Sequence, residues 1–280
     1  MQLSKALTWA FVTTCVSVTG ACGDAAFAAD SDRDEINATI VRFKAGIDAN
    51  PKNFRTRKGL GLAYLSANNV DGAIEQFKEA IKLKQDDIES YIGLARAQIR
   101  KGNYKEAGNT LKSGIKYQPN DPDAHYKLGQ VLSRTSSNPD DAMNEFKTTI
   151  KLNPNHAGAH RDLGMILGLK NDYDGQIVEE KKANELKPDD PDTLYYLGNA
   201  YTLKNDRKEA LKALQRCVEL DKKNVDAFRL LAGINAADGN YAVAIKYAES
   251  ACTLEPDNKE TKVTLDKIKA AAKDPIKDHK

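Results

Sequence analysis

Neither sign of charge dominates this sequence: 42 lysines and arginines stand against 40 aspartates and glutamates in 280 residues. Without a net field the chain has no general attraction to nucleic acid or to an anionic membrane, so any electrostatic preference must be local. Apolar runs are equally scarce, and beyond residue 18 no stretch is long enough to span a bilayer. Cysteine is sparse as well. Of four, Cys15 and Cys22 fall inside an expected leader, leaving Cys217 and Cys252, enough for one disulfide at most. What remains, 41% hydrophobic and 29% charged residues, suits a soluble chain of one or two globular domains.

The N-terminus carries Lys5, an apolar run from Ala6 to about Val18, and Ala26-Phe27-Ala28, the small-x-small pattern of a signal-peptidase site. Residues 1–28 are therefore expected to be a signal peptide, with a mature start near Ala29 and a periplasmic or secreted protein. Gly-Ala-Cys-Gly around Cys22 offers an alternative address, because it looks like the end of a bacterial lipoprotein signal; the chain would then be membrane-anchored through that cysteine. Thr19, where that pattern prefers Leu, Val or Ile, speaks against it.

The rest of the chain repeats itself. IKYQPNDPDAHYKLGQVL, Ile115 to Leu132, and IKLNPNHAGAHRDLGMIL, Ile150 to Leu167, share Ile-Lys, Pro-Asn, Ala-His, Leu-Gly and the final Leu in phase. Six units start at Phe54, Ile88, Pro122, Ala157, Pro191 and Val225, a period of 34 with one inserted residue in the third unit near SSNPDD. Position 7 of each unit is leucine: Leu60, Leu94, Leu128, Leu163, Leu197 and Leu231. Position 8 is always Gly or Ala, and a second small residue recurs later as Ala73, Ala107, Ala142, Ala210 and Ala244, with Gln176 as the departure. Apolar or small residues at positions 4, 7, 8 and 11 form one helical face, and the second half of each unit repeats the pattern. Each unit is thus a helical hairpin whose small residues let the two helices cross closely. Asn53, Asp87, Asp121, His156, Asp190, Asn224 and Asn258 stand at the expected N-caps, with Pro122 and Pro191 as first-turn prolines. Asn68, Gly102, Asn171, Asn205 and Gly239 are placed to end the first helices, and Pro119, Pro154, Pro188 and Pro256 the second. Cys217 and Cys252, about one period apart, read as two reduced thiols buried on matching helices.

This pattern resembles the tetratricopeptide repeat (TPR) family, from Phe54 to Asn258. The resemblance implies an all-α, right-handed superhelical solenoid of six hairpins, with the first helices lining a concave groove that binds peptides or partner proteins. Residues 32–50, with Ile36, Ile40, Phe43 and Ile47 at helical spacing, are expected to cap the N-terminal side. Residues 259–274 are expected to cap the other end, where Lys262, Asp266 and Lys269 replace packing residues, and 275–280 form a polar tail. Some family members hold acidic chaperone tails through a Lys/Asn/Arg carboxylate clamp; here Leu62 and Gly93 stand where its two asparagines would be, so that activity is not expected.

Candidate chemistry is thin. His156 and His160, four apart, could share a helical face and hold a metal, but no third ligand lies near them, and both fall on repeat positions, as His125 does. Gly59-Leu60-Gly61 lacks the third glycine and preceding strand of a dinucleotide loop, and Ser113-Gly114-Ile115-Lys116 has no companion motif. Once leader, repeats and caps are assigned, no segment is left for a catalytic domain. A non-enzymatic protein without cofactor or metal is expected.

The informative surface is the side of the first helices facing away from the core, centred on positions 2, 6, 9 and 13 and flanked by 5 and 12. Position 2 is mostly acidic, which the helix dipole explains. Deeper positions hold Lys58, Arg96, Arg100, Lys127, Arg134, Arg161 and Arg229 against Asp162 alone, with Tyr126, Tyr195, Tyr196 and Asn199 beside them. These eleven residues are the expected partner-binding groove, and an acidic segment of a protein or peptide the expected ligand. Envelope, secretion or pilus assembly would suit an exported scaffold. Two alternatives remain at this stage: polysaccharide binding or export, with the tyrosines stacking on sugars, and a metal-dependent activity at the histidine pair. No nucleic acid or small-molecule cofactor is expected, and a membrane only through lipid on Cys22.

Overall fold

A computed structural model describes residues 24–273, with side chains from residue 33 onward. The tail at 275–280 and most of the leader, including Cys22, lie outside the described residues. The described chain is a run of helices without strands: α1 (Asp24–Ala49), α2 (Phe54–Ser66), α3 (Val70–Leu83), α4 (Ile88–Arg100), α5 (Tyr104–Tyr117), α6 (Pro122–Thr135) and α7 (Pro139–Leu152). There follow α8 (Ala157–Leu169), α9 (Tyr173–Leu186), α10 (Pro191–Leu203), α11 (Arg207–Leu220), α12 (Val225–Ala237), α13 (Tyr241–Leu254) and α14 (Lys259–Lys273). No helix among the described residues is long and apolar enough to cross a membrane.

Each helix starts and stops for local reasons. Asn53, Asp87, Asp121, His156, Asp190 and Asn224 accept backbone N–H bonds from the first turns of α2, α4, α6, α8, α10 and α12, and Asn258 does so for α14. Asn68, Gly102, Asn171, Asn205 and Gly239 all take positive φ, between 56° and 84°, in the turns inside the hairpins. The third unit has no such residue. Its inserted residue lets the chain leave α6 through extended Ser136 and enter α7 at Pro139. Asp189, at φ 62°, is a further left-handed position, just before the N-cap Asp190.

Six hairpins, α2–α3 through α12–α13, pack in chain order, each second helix lying against the next first helix. Position 8 faces a large side chain on the partner helix: a Cβ on Gly129 would come within 2.6 Å of the Phe146 ring. Phe77, Leu111, Phe146 and Leu214 fill that place in four units and are almost wholly buried. At the ends, Phe43 of α1 packs across Gly59, and α14 inserts Ile268 and Leu265 against Ala232, Ala244 and Ala248. The face that α14 covers is thus this alanine face, while Leu231 belongs to the preceding cluster with Leu214 and Cys217. Cys217 and Cys252 are both free thiols, and burial pushes that of Cys217 up to about 12.

Candidate partner-binding groove

First helices α4, α6, α8 and α10 turn positions 6, 9 and 13 toward one concave surface. A cavity of about 370 Å³ opens there, walled by Ile99, Tyr104, Gln130, Val131, Arg134, Arg161, Asp162, Met165, Asp192 and Tyr196. It lies where α6 and α8 approach less closely than the other neighbouring first helices do, at the seam carrying the inserted residue of the third unit.

The eleven expected groove residues divide into two sets. Position 5 is spent largely on contacts within the chain, although Arg161 also walls the cavity. Lys58 bridges to Asp87, at 3.1 Å, and to Glu89; Arg161 holds Asp162 at 3.0 Å and Asp190 at 3.5 Å; Arg229 holds Asp226 at 3.1 Å and Glu255 at 2.6 Å. The expected excess of seven bases over one acid is therefore corrected. Lys58 and Arg161 reach the capping and first-turn carboxylates of the next first helix, Arg161 holding Asp162 of its own helix as well, whereas Arg229 is neutralised by Asp226 of its own helix and by Glu255 at the end of α13. Tyr126 and Tyr195, also at position 5, are packing residues: the Tyr126 ring lies 5.9 Å from Phe146 and 4.3 Å from His156, and Tyr195 joins the cluster of Leu194 and Leu214. Burial raises the pKa of both phenols.

Positions 9 and 13 carry the exposed side chains, whereas position 6 is buried at Gly93 and Asp162 and half-buried at Lys127 and Tyr196. Arg96, Arg100 and Arg134 are exposed. Arg96 makes no hydrogen bond or ion pair among the described residues. Arg100 donates through Nη1 to the Leu65 carbonyl at 2.5 Å, next to the end of α2, and Arg134 donates to Tyr104 Oη at 3.1 Å with its guanidinium 5.5 Å from that ring. Lys127 is half-buried, and burial lowers its pKa against the pull of Asp162 and Asp123; it donates to Gln130 Oε1 at 3.0 Å. Gln130 in turn donates to Tyr126 Oη at 2.8 Å. Tyr196 lines the cavity, and Asn199 stands half-buried one turn further along α10.

The histidines serve the repeat. His160 sets Nδ1 2.6 Å from Glu179 and Nε2 3.0 Å from the Pro154 carbonyl, and His125 repeats this with Glu145 and the Pro119 carbonyl at the same distances. Each ring ties its hairpin to the end of the preceding one. His156 Nδ1 accepts from the Ala159 amide at 3.0 Å, which places its proton on Nε2 and makes it the N-cap of α8.

Sequence reasoning missed one buried feature of the neighbouring helix. On α9, Gln176, Glu180 and Asn184 follow one another at intervals of four, and Glu180 stands where the other five units have Phe77, Leu111, Phe146, Leu214 and Ala248. Glu180 is wholly buried, and neither carboxyl oxygen has a partner; Gln176 Oε1 and Asn184 Oδ1 are unpartnered too. The signal was present, since a polar residue at every fourth place replaces the apolar stripe of a second helix.

Comparison with known proteins now bears on the repeat. Family models for the tetratricopeptide repeat match residues 64–131 and 191–224, the second being the whole fifth hairpin. The chain is a TPR protein. Among solved structures, it is similar to YrrB, described as a TPR protein with an unusual peptide-binding site, at 23% identity and a TM-score of 0.55 over 66% of this chain and 95% of that one. It is also similar to PilW, described as a widely conserved type IV pilus biogenesis factor, at 15% identity and a TM-score of 0.65 over 76% of this chain and 98% of that one. Mouse protein O-mannosyl-transferase TMTC1 is 33% identical over 104 residues, 35% of this TPR chain. The match spans only 11% of TMTC1's own length.

Proposed function

We propose that this TPR protein is a non-enzymatic scaffold that holds an acidic segment of a partner protein in its concave groove, and that it works in an exported assembly such as envelope, secretion or pilus biogenesis. One observation carries the binding part. Arg96, Arg100 and Arg134 stand exposed on groove-facing positions of two successive first helices. Guanidinium groups suit bidentate carboxylate contacts, and two helices hold them on one rigid surface. Peptide binding is what the description of YrrB records of that protein, and pilus biogenesis that of PilW; both lend support by fold. The exported address rests on Lys5, the apolar run after it and Ala26-Phe27-Ala28.

The test is the triple variant Arg96→Glu, Arg100→Glu, Arg134→Glu, made in the mature chain and used against partners captured from the envelope fraction. Binding should weaken by roughly 1 kcal/mol per reversed contact and association should slow, with the helical spectrum unchanged. Affinity of the unaltered protein should fall as salt rises. A partner that binds the triple variant normally, with an affinity flat in salt, would refute the basic groove.

A further inference from the structure

Building on that groove assignment, we infer that the groove takes a two-part segment: acidic residues over the second and third units, large apolar residues over the fourth and fifth. Position 13 changes character along the solenoid, reading Arg100 and Arg134 and then Leu169 and Leu203. Leu169 is 73% exposed and Leu203 52%, in a chain whose position-7 leucines are buried in the core. One exposed leucine is ordinary; two on successive helices, in register with two exposed arginines, make a continuous surface of changing polarity.

Position 9 follows the same change as far as the fourth unit, from Arg96 through Gln130 to Met165, and returns to polar Asn199 in the fifth, where position 13 carries the apolar side chain. The cavity lies at the transition, with Arg134 on one wall and Met165 and Tyr196 on the other. Asp192, an exposed first-turn acid of α10, also lines the far wall with Asp162 and repels a carboxylate there, while Arg161 beside them is already paired with Asp162 and Asp190. An acidic stretch is thereby confined to the Arg100 and Arg134 side, and the apolar part of the same ligand meets Leu169 and Leu203. Closely packed neighbours lie about 8–10 Å apart and α6 and α8 lie further apart than that, so the three steps from α4 to α10 span at least roughly 25–30 Å, matched by an extended segment of at least about eight or nine residues. The occupant is accordingly a short extended stretch of a partner protein, with acidic residues toward one end and leucine or aromatic residues toward the other.

The test uses the full mature chain and two fluorescent peptides of equal length and charge. One joins a block of glutamates through two serines to Leu-Phe-Leu, and the other replaces Leu-Phe-Leu with serines. Anisotropy titrations should show the first binding at least about tenfold tighter than the second. In the variant Leu169→Asp, Leu203→Asp that advantage should vanish, while in Arg100→Glu, Arg134→Glu both peptides should weaken and lose their salt dependence. All four positions are exposed, so circular dichroism of the variants should match the parent. Equal binding of the two peptides, with the leucine variant indistinguishable from the parent, overturns the apolar half and leaves the basic groove standing. Failure of both peptides to bind overturns the two-part segment, and the captured partner with the arginine triple variant then decides the basic groove separately.

Discussion

Replacing Glu180 with leucine should make this protein more stable, and by an amount that grows with pH. The carboxyl is wholly buried between α8, α9 and α10, with its oxygens unpartnered and Oε1 lying where a Cβ on Gly164 would come within 2.8 Å. Burial pushes its pKa from the ordinary 4.5 up to about 9. Of the charges facing it, Arg161 on α8 favours ionisation, whereas Asp162 on α8 and Asp190 and Asp192 on α10 oppose it; Tyr196 faces it from α10 as well. A carboxyl raised in this way is neutral in the folded chain and ionised in the unfolded chain at every pH between the two values. Folding must therefore take up a proton, and stability falls by about 1.4 kcal/mol for each pH unit above the ordinary value, until the folded group itself ionises. At pH 7 the penalty is about 3 kcal/mol, and below the ordinary value it is absent.

Leucine already fills this place in the second and fifth units, as Leu111 and Leu214, both wholly buried. Its burial adds about 2 kcal/mol to the removal of the proton penalty, so Glu180→Leu should gain about 5 kcal/mol at neutral pH and about 2 kcal/mol in mild acid. Glu180→Gln removes the ionisation alone and separates the two contributions. Urea unfolding followed by circular dichroism, near pH 5 and near pH 8, measures them. The difference between parent and variant is the quantity to read, because every other titrating group then cancels. A gain that is the same at both pH values, or a leucine variant less stable than the parent, would refute this account of Glu180.

Other outcomes follow from the same packing. Truncation after Asn258 removes α14 and bares the face of Ala232, Ala244 and Ala248, so the shortened chain should self-associate in light scattering; a monodisperse monomer of unchanged stability would mean that α14 is no cap. Gly129→Leu drives a side chain into the Phe146 ring and should cost about 1–3 kcal/mol in urea unfolding, whereas Gly233→Ala, with nothing within 4 Å of its Cβ, should be neutral or slightly stabilising. If residues 1–28 are a cleaved signal, terminal sequencing of the protein isolated from cells should begin near Ala29; an intact Met1 would refute export, and a lipid-modified Cys22 would instead establish the membrane-anchored alternative.

Local chemistry made most of the fold legible in the sequence. A capping side chain acts on the amides two and three residues ahead of it, so Asn53 or Asp121 announces its helix without reference to the rest of the chain. Asn171 and Gly239 likewise declare their turns, because few other residues accept positive φ at little cost. Asp189 escaped because nothing about Pro-Asp-Asp marks its first aspartate as the left-handed one. The groove was half legible. Helical phase sorts side chains into faces of one helix, but the partners of Lys58 and Arg161 belong to the next first helix, 29 residues on in both cases, at Asp87 and Asp190. Charge counted on a single face therefore overstated the basic surface; pairing Lys58 and Arg161 with the following N-cap aspartates would have corrected the count for those two, but not for Arg229, whose following N-cap is Asn258.

The two departures from the repeat, the inserted residue after α6 and the polar stripe of α9, lie on either side of α8, and together they should weaken one joint of the solenoid, although Ile177 of α9 still packs against the cluster of Leu194 and Leu214. One apolar cluster runs from Ala142 to Ile166 and another from Leu194 to Ile234, while among the apolar side chains of α9 only Ala183 is fully buried. In a solenoid each unit is held by its own hairpin and its neighbours, so loss of apolar contact in one hairpin is not made good at a distance. Local opening should begin there, and the amides of α9 should exchange with solvent before those of α5 or α11, whose faces carry Leu111 and Leu214. Glu180→Leu should slow exchange in α9 toward that of its neighbours, and more so above neutral pH. The fourth unit is also where the groove passes from arginine to leucine. A ligand that spans this joint holds both halves of the solenoid at once, so its binding should protect α9 although it touches only the first helices. Exchange in α9 that is no faster than in α5, or that does not respond to a bound segment, would show that the polar stripe costs the joint nothing.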